Sequence, residues 1–479
     1  MSATRTSARN GVALAVIAAA QFMVIMDTSI IGVALPEIQA SLGFSPESLS
    51  WVFNAYVVAF GGLLLLGGRL SDLLGARRIF SAGWAILALG SLVAGLASTA
   101  AIELGGRAMQ GIGAALIAPS ALALLFTLFG SDARQLTKAL SLYGAAAPAG
   151  GTAGVFLGGL LTEYAAWPWV FFINVPIAIV VLALVRWTMP ASAPRQGSLD
   201  VVGALTATVG LALVVFATVQ APQVGWMSSG TVTAGVAGLI MLALFIVLQS
   251  RRREPLVRLG IFKAPNLAAA NLAQFLLAAA WIPMFFFVNI YLQQVLGLGA
   301  FASGAALLPL TVTIMVGMIA AAPRLIARFG PKAMTVSGLA TLAVGLAWLS
   351  FISPAGSYVV DVLPPTLVIA SGMALAFIPS LGIALSSAQP QESGLAAGIV
   401  NSSYQIGSAI GLAGMTAVAA AFGATQGASV DDLTSGYSAG ILGAAALAAI
   451  GAVASALLLH SRRPATARPT GAVVKSHAD

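Results

Sequence analysis

Charged residues and cysteine are the two classes that this sequence has little of or lacks. Only 8% of its 479 residues are charged and none is cysteine, whereas soluble proteins average about 25% charged residues. So few charges leave too little polar surface to face water, and the absence of cysteine excludes disulfides, thiolate metal sites and a cysteine nucleophile. The two histidines, His460 and His477, follow the last apolar run. We therefore predict neither a histidine relay nor a metal site.

Apolar sequence makes up 59% of the chain. Its runs reach the roughly 20 residues that cross a bilayer as a helix, and they recur almost end to end. Because a lipid-exposed backbone must satisfy its own hydrogen bonds, these runs are expected to be helical. We predict an all-α integral membrane protein. The first run, near residues 11–35, is too long for a signal-peptide core and is expected to stay as the first helix.

The runs predict fourteen transmembrane helices, grouped as six, two and six. The first six lie near residues 11–35, 49–67, 79–98, 101–129, 138–162 and 169–187. The next two lie near 201–220 and 231–249, and the last six near 265–294, 302–322, 332–352, 362–386, 394–422 and 437–459. The predicted domains are a six-helix bundle (1–190), a connector with two extra helices (191–262), a second six-helix bundle (263–460) and a disordered cytoplasmic tail (461–479).

Basic residues indicate the orientation, because Lys and Arg concentrate in cytoplasmic loops. With the N-terminus inside, all of the 22 Lys and Arg residues except Arg107 fall in cytoplasmic segments. The predicted outer loops hold acids instead: Glu37, Glu47, Glu163, Asp361, Asp431 and Asp432. One missed helix would mix the two sets, so both termini are predicted to be cytoplasmic. Membrane orientation explains the net charge of +8, and no nucleic-acid partner is expected.

Two ionisable side chains, Asp27 and Arg107, fall well inside the predicted helices. Burying a charge in a membrane is expensive, so both are functional candidates. Apolar helical neighbours surround Asp27, and desolvation disfavours its ionised form, which makes it a candidate proton carrier. Arg107 lies at a similar depth and would hold Asp27 ionised if the two approach each other. A static ion pair, or a helix-capping role for Asp27, is the structural alternative.

The segment between the second and third helices reads Gly68-Arg69-Leu70-Ser71-Asp72-Leu73-Leu74-Gly75-Ala76-Arg77-Arg78. It resembles the signature G-x-L-x-D-x-x-G-x-[RK]-[RK] of the major facilitator superfamily, with Gly68, Asp72, Gly75, Arg77 and Arg78 at its key positions. The segments 26–36, 104–113, 167–176 and 394–411 resemble motifs of the superfamily's fourteen-helix drug:proton antiporters. The resemblance thus covers nearly the whole chain.

This resemblance implies two six-helix bundles, with two additional central helices, that rock about a site at the midplane. Asp27 and Arg107 would couple the cycle to protons. The signature residues would form a cytoplasmic gate, in which Asp72 bonds to a helix end or a basic partner across the bundle interface, or simply caps its own loop. The expected function is proton-coupled export of amphipathic drugs or toxic compounds across the cytoplasmic membrane, by a monomer that is not an enzyme and needs no cofactor.

The fifth predicted helix carries Gly150, Gly154, Gly158 and Gly159, which resemble the antiporter motif G-x-x-x-G-P-x-x-G-G. Glycine at every fourth position gives a smooth helix face for close packing. Val155 stands where the motif has proline. A kink that is associated with exporters is therefore expected to be softer here.

A substrate cavity is expected between the bundles. Its candidate lining residues are polar or aromatic: Asn54, Gln110, Asn271, Gln274, Trp281, Phe285, Asn289, Asn401 and Gln405. Core or lipid-facing packing is the alternative for the aromatic residues. Because Asp27 is the lone acid, neutral or singly charged substrates are expected. Two other functions stay open: a dedicated exporter of one metabolite, such as a self-made antibiotic, and a membrane sensor or scaffold that does not transport.

Overall fold

The computed structural model describes residues 2–44, 49, 51–190, 200–225, 227–252, 255, 257, 259–389, 392–425 and 428–460. Among these residues no strand occurs, and helices account for most of them, which confirms the all-α class. Thirteen helices are long and apolar enough to cross a membrane, and the stretch Val201–Ala217 is a shorter apolar helix. The count of fourteen crossings, their orientation and the domain boundaries stay predictions. The tail 461–479 and the connector stretch 191–199 lie outside the described residues.

The helices of the N-terminal half follow the predicted runs closely. They are α1 (Ser2–Ser29), α2 (Ile31–Leu42), α3 (Trp51–Leu74), α4 (Ala76–Gly95), α5 (Ala100–Phe129), α6 (Ala133–Tyr164), α7 (Trp169–Phe172) and α8 (Asn174–Thr188). Two further helices follow, α9 (Val201–Val224) and α10 (Ser229–Arg251). We call the helix ends that are predicted to face the cytoplasm the inner ends, and the opposite ends the outer ends.

The C-terminal half begins with a short 3₁₀-helix, Leu259–Lys263. Its α-helices are α11 (Leu267–Gln294), α12 (Ala300–Ala306), α13 (Leu308–Val316), α14 (Ala322–Phe329), α15 (Pro331–Leu349), α16 (Leu363–Ser387), α17 (Ser393–Ala421) and α18 (Val430–Leu458). Short π-helical turns, Gly317–Ala321 and Tyr358–Val362, lead into α14 and α16.

The first helical run is longer than predicted. The sequence predicts an end at Leu35, yet α2 continues to Leu42. Gly43 closes it in the left-handed conformation, with φ of 68°. A glycine that adopts a positive φ is a common helix terminator. The acidic residue Glu37, which we assigned to an outer loop, therefore lies on a helix.

The signature segment forms a turn and not a loop. Helix α3 continues through Leu74 and α4 begins at Ala76, so Gly75 alone makes the connection, with φ of 94°. Gly330 does the same between α14 and α15, with φ of 83°. Residues with a side chain rarely adopt this conformation. A one-residue turn places the signature residues at fixed positions relative to both helices.

The helices pack as two groups that meet along a few seams. In the first group α3, α4 and α5 pack against one another, and α1 packs against α6. In the second group α11 packs against α17 and α18, and α15 packs against α16 and α18. Helices α3 and α17 meet at one seam between the groups, and α6 meets α13 and α16 at the other.

The extra pair, α9 and α10, lies against the first of these seams. Helix α9 packs on both α3 and α17. On α3 it meets two glycines, since a methyl group added at Gly62 would lie 3.1 Å from the Ala212 side chain and one added at Gly61 would lie 3.2 Å from Val215. The absence of side chains at these positions allows the close contact.

Buried Asp200 ties the inner ends of the two extra helices together. Its Oδ1 accepts a hydrogen bond from the backbone N–H of Gly203 at 2.8 Å and pairs with Arg252 Nη1 at 2.5 Å. Its Oδ2 accepts from Gln249 Nε2 at 2.8 Å. The connector thus has a defined internal anchor of its own.

The second seam involves the position that departs from the antiporter motif. Val155 lies on the outer half of α6, and a methyl group added at Gly304 of α12 would lie 3.3 Å from its Cγ1. One turn away, Thr152 Oγ1 and Thr311 Oγ1 are hydrogen-bonded at 2.9 Å. Val155 thus lies at the contact between the groups. Helix α6 does contain a proline, Pro148, at another position.

The glycine face of α6 packs directly on the backbone of α1. A methyl group added at Gly154 would lie 2.8 Å from the carbonyl oxygen of Met26, and one at Gly158 would lie 2.6 Å from that of Ile30. Gly150 meets the carbonyl of Phe22 in the same way. Gly159 is not buried and does not belong to this face. The contact fixes the stretch of α1 that contains Asp27.

We predict that Gly154→Ala destabilises the fold, because the new methyl group would collide with α1 at Met26 and Ser29. Overpacking of this kind costs about 1–3 kcal/mol. Gly151→Ala is the matched control, since its methyl group would meet no atom closer than 3.7 Å. The measurement is the thermal unfolding midpoint of both variants in detergent. Equal midpoints would contradict a packing role for the glycine face.

Candidate functional site

Asp27 and Arg107 form an ion pair inside the first helix group. Arg107 Nη1 lies 2.9 Å from Asp27 Oδ2, and the exposed fractions of the two side chains are 0% and 1%. Helices α1 and α5 carry them, and α1 is held in place by its contact with α6. Removing one partner of a buried pair leaves an uncompensated charge, which costs about 3–5 kcal/mol. Forming or breaking this ion pair can therefore change how the surrounding helices pack.

Neutral donors from α5 and α8 complete the coordination of the carboxylate. Asp27 Oδ1 accepts hydrogen bonds from Gln110 Nε2 at 2.9 Å and from Asn174 Nδ2 at 2.6 Å. Ser91 Oγ accepts from the same two amide groups, at 2.8 and 3.1 Å. Gln110 Oε1 in turn accepts from Arg107 Nη1 at 2.8 Å. We call these five residues the Asp27 network; its members come from α1, α4, α5 and α8.

Helix α3 holds the arginine from another side. Arg107 Nε donates to the carbonyl oxygen of Val52 at 2.8 Å, and the guanidinium lies 4.7 Å from the ring centre of Tyr56. The Tyr56 hydroxyl donates to the carbonyl of Val24 on α1 at 3.3 Å. A cation above an aromatic face is stabilised by the ring quadrupole. Arg107 thus contacts two helices besides its own, α1 and α3.

The surroundings of Asp27 differ from our expectation. Its helical neighbours are apolar, as the sequence indicates, but its carboxylate faces donors from other helices. Asn174 and Ser91 were not among the predicted site residues, although Asn174 belongs to the 167–176 motif and Ser91 interrupts an apolar run. Gln110, which we grouped with the cavity residues, is fully buried in the network.

A third ionisable side chain is buried beside this network. Glu103 lies in the first turns of α5 and has an exposed fraction of 0%. The sequence places only Asp27 and Arg107 well inside the predicted helices, and it does not indicate that an acid in the first turn of α5 is buried as well. The apolar run that predicts this helix begins near residue 101, so Glu103 seemed to belong to its outer end. Hydropathy gives no sign that α1, α3 and α4 enclose that end.

Asp72 joins the two helix groups at their inner ends. Its Oδ1 accepts a hydrogen bond from the backbone N–H of Gly394, and its Oδ2 from that of Leu395, each at 2.8 Å. Both amides belong to the first turn of α17, where the positive end of the helix dipole favours an anion. Gly68 approaches the Gly394 carbonyl so closely that a side chain there would collide with it.

The basic residues of the signature lie on the opposite side of the turn. Arg77 Nη1 donates to the carbonyl oxygen of Met189 at 3.4 Å. Met189 caps the C-terminal end of α8, where a cation is favourable. Arg78 is exposed. The residues around the turn at Gly75 therefore contact two helix ends. Arg77 contacts the C-terminus of α8 in its own group, and Asp72 contacts the N-terminus of α17 across the seam.

The remaining cavity candidates lie in several environments. Gln274 donates to the Phe377 carbonyl at 3.1 Å and to Ser380 Oγ at 3.0 Å, and Asn271 Oδ1 accepts from Ser403 Oγ at 3.1 Å. These bonds connect α11 to α16 and α17.

The others are described by their exposure. Asn54 and Trp281 are buried, Asn289, Asn401 and Gln405 are half-buried, and Phe285 is 39% exposed. A shared cavity for the whole set stays a prediction.

The comparisons with known proteins agree on one family. A family model of the Major Facilitator Superfamily matches residues 17–412. The cephamycin export protein CmcT of Amycolatopsis lactamdurans is 36% identical over 96% of this chain and 93% of its own length. A puromycin resistance protein of Streptomyces alboniger is 36% identical over 94% of this chain and 92% of its own. Among solved structures, the proton:xylose symporter XylE matches with a TM-score of 0.67 at 15% identity, over 94% of this chain and 95% of that one, and shows the fold.

We predict that Asp72→Ala slows turnover more than it weakens substrate binding. The variant loses two hydrogen bonds to a charged acceptor, worth about 1.5–3 kcal/mol each, so the state with closed inner ends should lose at least about tenfold in population. Arg77→Ala should act in the same direction. Transport rate and ligand affinity would be measured at matched expression, with the exposed Arg134→Ala as control. Rates equal to wild type in both gate variants would exclude a gating role.

Arg107 is predicted to set the proton affinity of Asp27. Without the cation, Asp27 loses its ionic partner at 2.9 Å, so Arg107→Ala should change the pH profile of substrate-induced proton release and weaken binding of cationic substrates. Arg107→Lys keeps the charge but not the planar fork, and should do less. Proton release from detergent-solubilised protein would be recorded across the pH range. Superimposable profiles for wild type and Arg107→Ala would show that the pair is not coupled to protons.

Proposed function

Because the chain belongs to the Major Facilitator Superfamily, we propose that it exports antibiotics and other amphipathic compounds in exchange for protons. The observation that carries the proton-coupled part is the buried pair of Asp27 and Arg107, an acid and a cation withdrawn from water with neutral donors around them. Charges at such depth are expensive and mark ion or proton pathways. The relatives named for cephamycin export and puromycin resistance support the direction of transport.

In the proposed cycle Asp27 alternates between an ionised and a protonated form. While ionised it is paired with Arg107, and the Asp27 network holds α1, α4, α5 and α8 together. A proton on Asp27 removes the ionic attraction and loosens this arrangement. One proton that crosses roughly 100 mV releases about 2.3 kcal/mol, which sustains a substrate gradient of about fiftyfold.

The inner gate determines which side of the membrane the central site faces. Asp72 at the N-terminus of α17 holds the inner ends of the two helix groups together. Rupture of this contact opens a path from the cytoplasm, and its re-formation closes the path while the outer ends separate.

Several further properties belong to the same proposal. The protein acts as a monomer in the cytoplasmic membrane, with the proton gradient as its only energy source and without a cofactor. Its substrates are neutral or singly charged, because the candidate cavity residues are amides and aromatic side chains.

A dedicated exporter of one antibiotic is the second candidate. It is favoured by the names of the two relatives, each of which refers to a single compound. A broad drug pump would instead protect against chemically unrelated compounds. A sensor or scaffold, the third possibility, would accumulate no substrate in inverted vesicles.

We predict that the wild-type chain protects a pump-deleted host against at least one antibiotic in a susceptibility panel, and that Asp27→Asn does not. The amide keeps the size of the side chain but cannot take up and release a proton as a carboxylate does. Glu163→Gln, which changes an exposed outer acid, is the control and should protect as wild type does. Breadth of protection separates the two exporter candidates. Efflux driven by a pH gradient at the wild-type rate in Asp27→Asn would remove Asp27 from the mechanism.

A further inference from the structure

Glu103 is a buried acid that the proposed function has not used. Its side chain has an exposed fraction of 0%, and neither carboxylate oxygen has a hydrogen-bond partner among the described residues. An ionised carboxylate in such surroundings is strongly unfavourable, and a group in this position takes up a proton instead. Burial without a partner therefore favours the neutral form of Glu103 in this conformation.

Its position on α5 connects it to the Asp27 network. Glu103, Arg107 and Gln110 are spaced four and three residues apart and so share one helix face. Glu103 is about 6 Å nearer the outer end than Arg107, at 1.5 Å of rise per residue. Arg107 Nη2 is a buried donor without a partner among the described residues. Within the described part of the chain, Arg107 thus has an unused donor, and Glu103, one turn earlier on the same helix, has two unused acceptors.

The other charged and titratable groups around α5 are few. Helix α1 contributes Asp27 and α3 contributes Tyr56, whereas α4 and α8 contribute the neutral Ser91 and Asn174. Helix α17, which also packs on α5, contains no charged residue. The acids at the outer ends of α2 and α6, Glu37 and Glu163, are exposed. Within the described residues, Asp27, Arg107 and Glu103 therefore form an isolated group of charges.

Protonation of Asp27 alone would leave Arg107 as a buried cation without a counter-ion. That state costs about 3–5 kcal/mol, and it would oppose the step that the cycle needs. A second acid beside Arg107 removes the difficulty, because it can take over as the counter-ion. Glu103 is the one described side chain that is placed to do so.

We propose that Asp27 and Glu103 share one proton and that Arg107 changes its ionic partner as the proton moves between them. The O–H bond of Glu103 breaks and an O–H bond forms on Asp27, while the ion pair of Arg107 with Asp27 is replaced by one with Glu103. The net charge stays constant throughout. When Arg107 returns to Asp27, Glu103 takes up the next proton from the outer side, one helical turn closer to the surface.

This proposal rests on proton coupling at Asp27, and it explains how protons reach a carboxylate with an exposed fraction of 1%. It also predicts a signature that a structural role would not produce. Asp27 and Glu103 share one proton beside the single cation Arg107. Both carboxylates must therefore be present for that proton to stay bound. Removal of either acid leaves the other as the sole counter-ion of Arg107, and that acid is then ionised.

The test measures carboxyl protonation by infrared difference spectra of the detergent-solubilised protein. No substrate is added, so protons are the only probe. Wild type should show the carbonyl stretch of a protonated carboxyl group at neutral pH. Glu103→Gln and Asp27→Asn should each lose this band at the same pH. Glu163→Gln is the matched control and should keep the band. Both test substitutions preserve side-chain size, and unchanged elution from a sizing column shows that the variants are folded.

Two results would overturn the proposal. A band that persists in Glu103→Gln would show that Glu103 does not hold the proton. A band that persists in Asp27→Asn but disappears in Glu103→Gln would make Glu103 a neutral bystander that exchanges nothing with Asp27. Failure of the proposed function is a separate outcome, since it would appear as proton-driven efflux by Asp27→Asn whatever the spectra show.

Discussion

The arrangement of the first helix group depends on one constraint: a charge inside the membrane must have a partner. Asp27 and Arg107 satisfy it for each other at 2.9 Å, yet each has hydrogen-bonding capacity that the other does not use. Gln110, Asn174 and the Val52 carbonyl satisfy most of this remaining capacity, and Arg107 Nη2 keeps no partner among the described residues. Helices α1, α3, α4, α5 and α8 are thereby connected through polar groups that are buried from solvent.

Close approach of these helices requires small residues elsewhere. On α6 the glycines at positions 150, 154 and 158 let α1 lie directly on the helix backbone, which fixes the depth and direction of Asp27. At the inner seam Gly68 permits α3 to touch α17, so that the Asp72 carboxylate reaches the first turn of that helix. The glycines thus determine where the charged groups are, and the charged groups determine which contacts can be broken by a proton or by movement of a bundle.

Much of the fold was predictable because bilayer-spanning helices are recognisable in a sequence by their length and apolar composition. Most helix bounds agree with the apolar runs within about five residues. The larger differences are the start of α1 at Ser2, the extension of α2 to Leu42, the end of α3 at Leu74, the end of α14 at Phe329 and the start of α18 at Val430. Partners in space were not predictable in the same way. Asn174 donates to Asp27 across 147 residues of sequence, and hydropathy does not say which face of an apolar helix meets which neighbour. The burial of Glu103 was not predictable for the same reason, because it depends on how the neighbouring helices pack against the outer end of α5.

Helix α3 joins the two parts of the molecule that must act together. Near its outer end the Val52 carbonyl accepts from Arg107 and the Tyr56 ring lies against the guanidinium. Near its inner end, twenty residues after Val52, Asp72 holds α17, a separation of about 30 Å at 1.5 Å per residue. The helix is continuous between these points, so a shift of Arg107 at one end is carried as a rigid displacement to the other. A change of ionic partner in the outer half would then alter the strain on the gate contact, which gives the proton a mechanical route to the inner side.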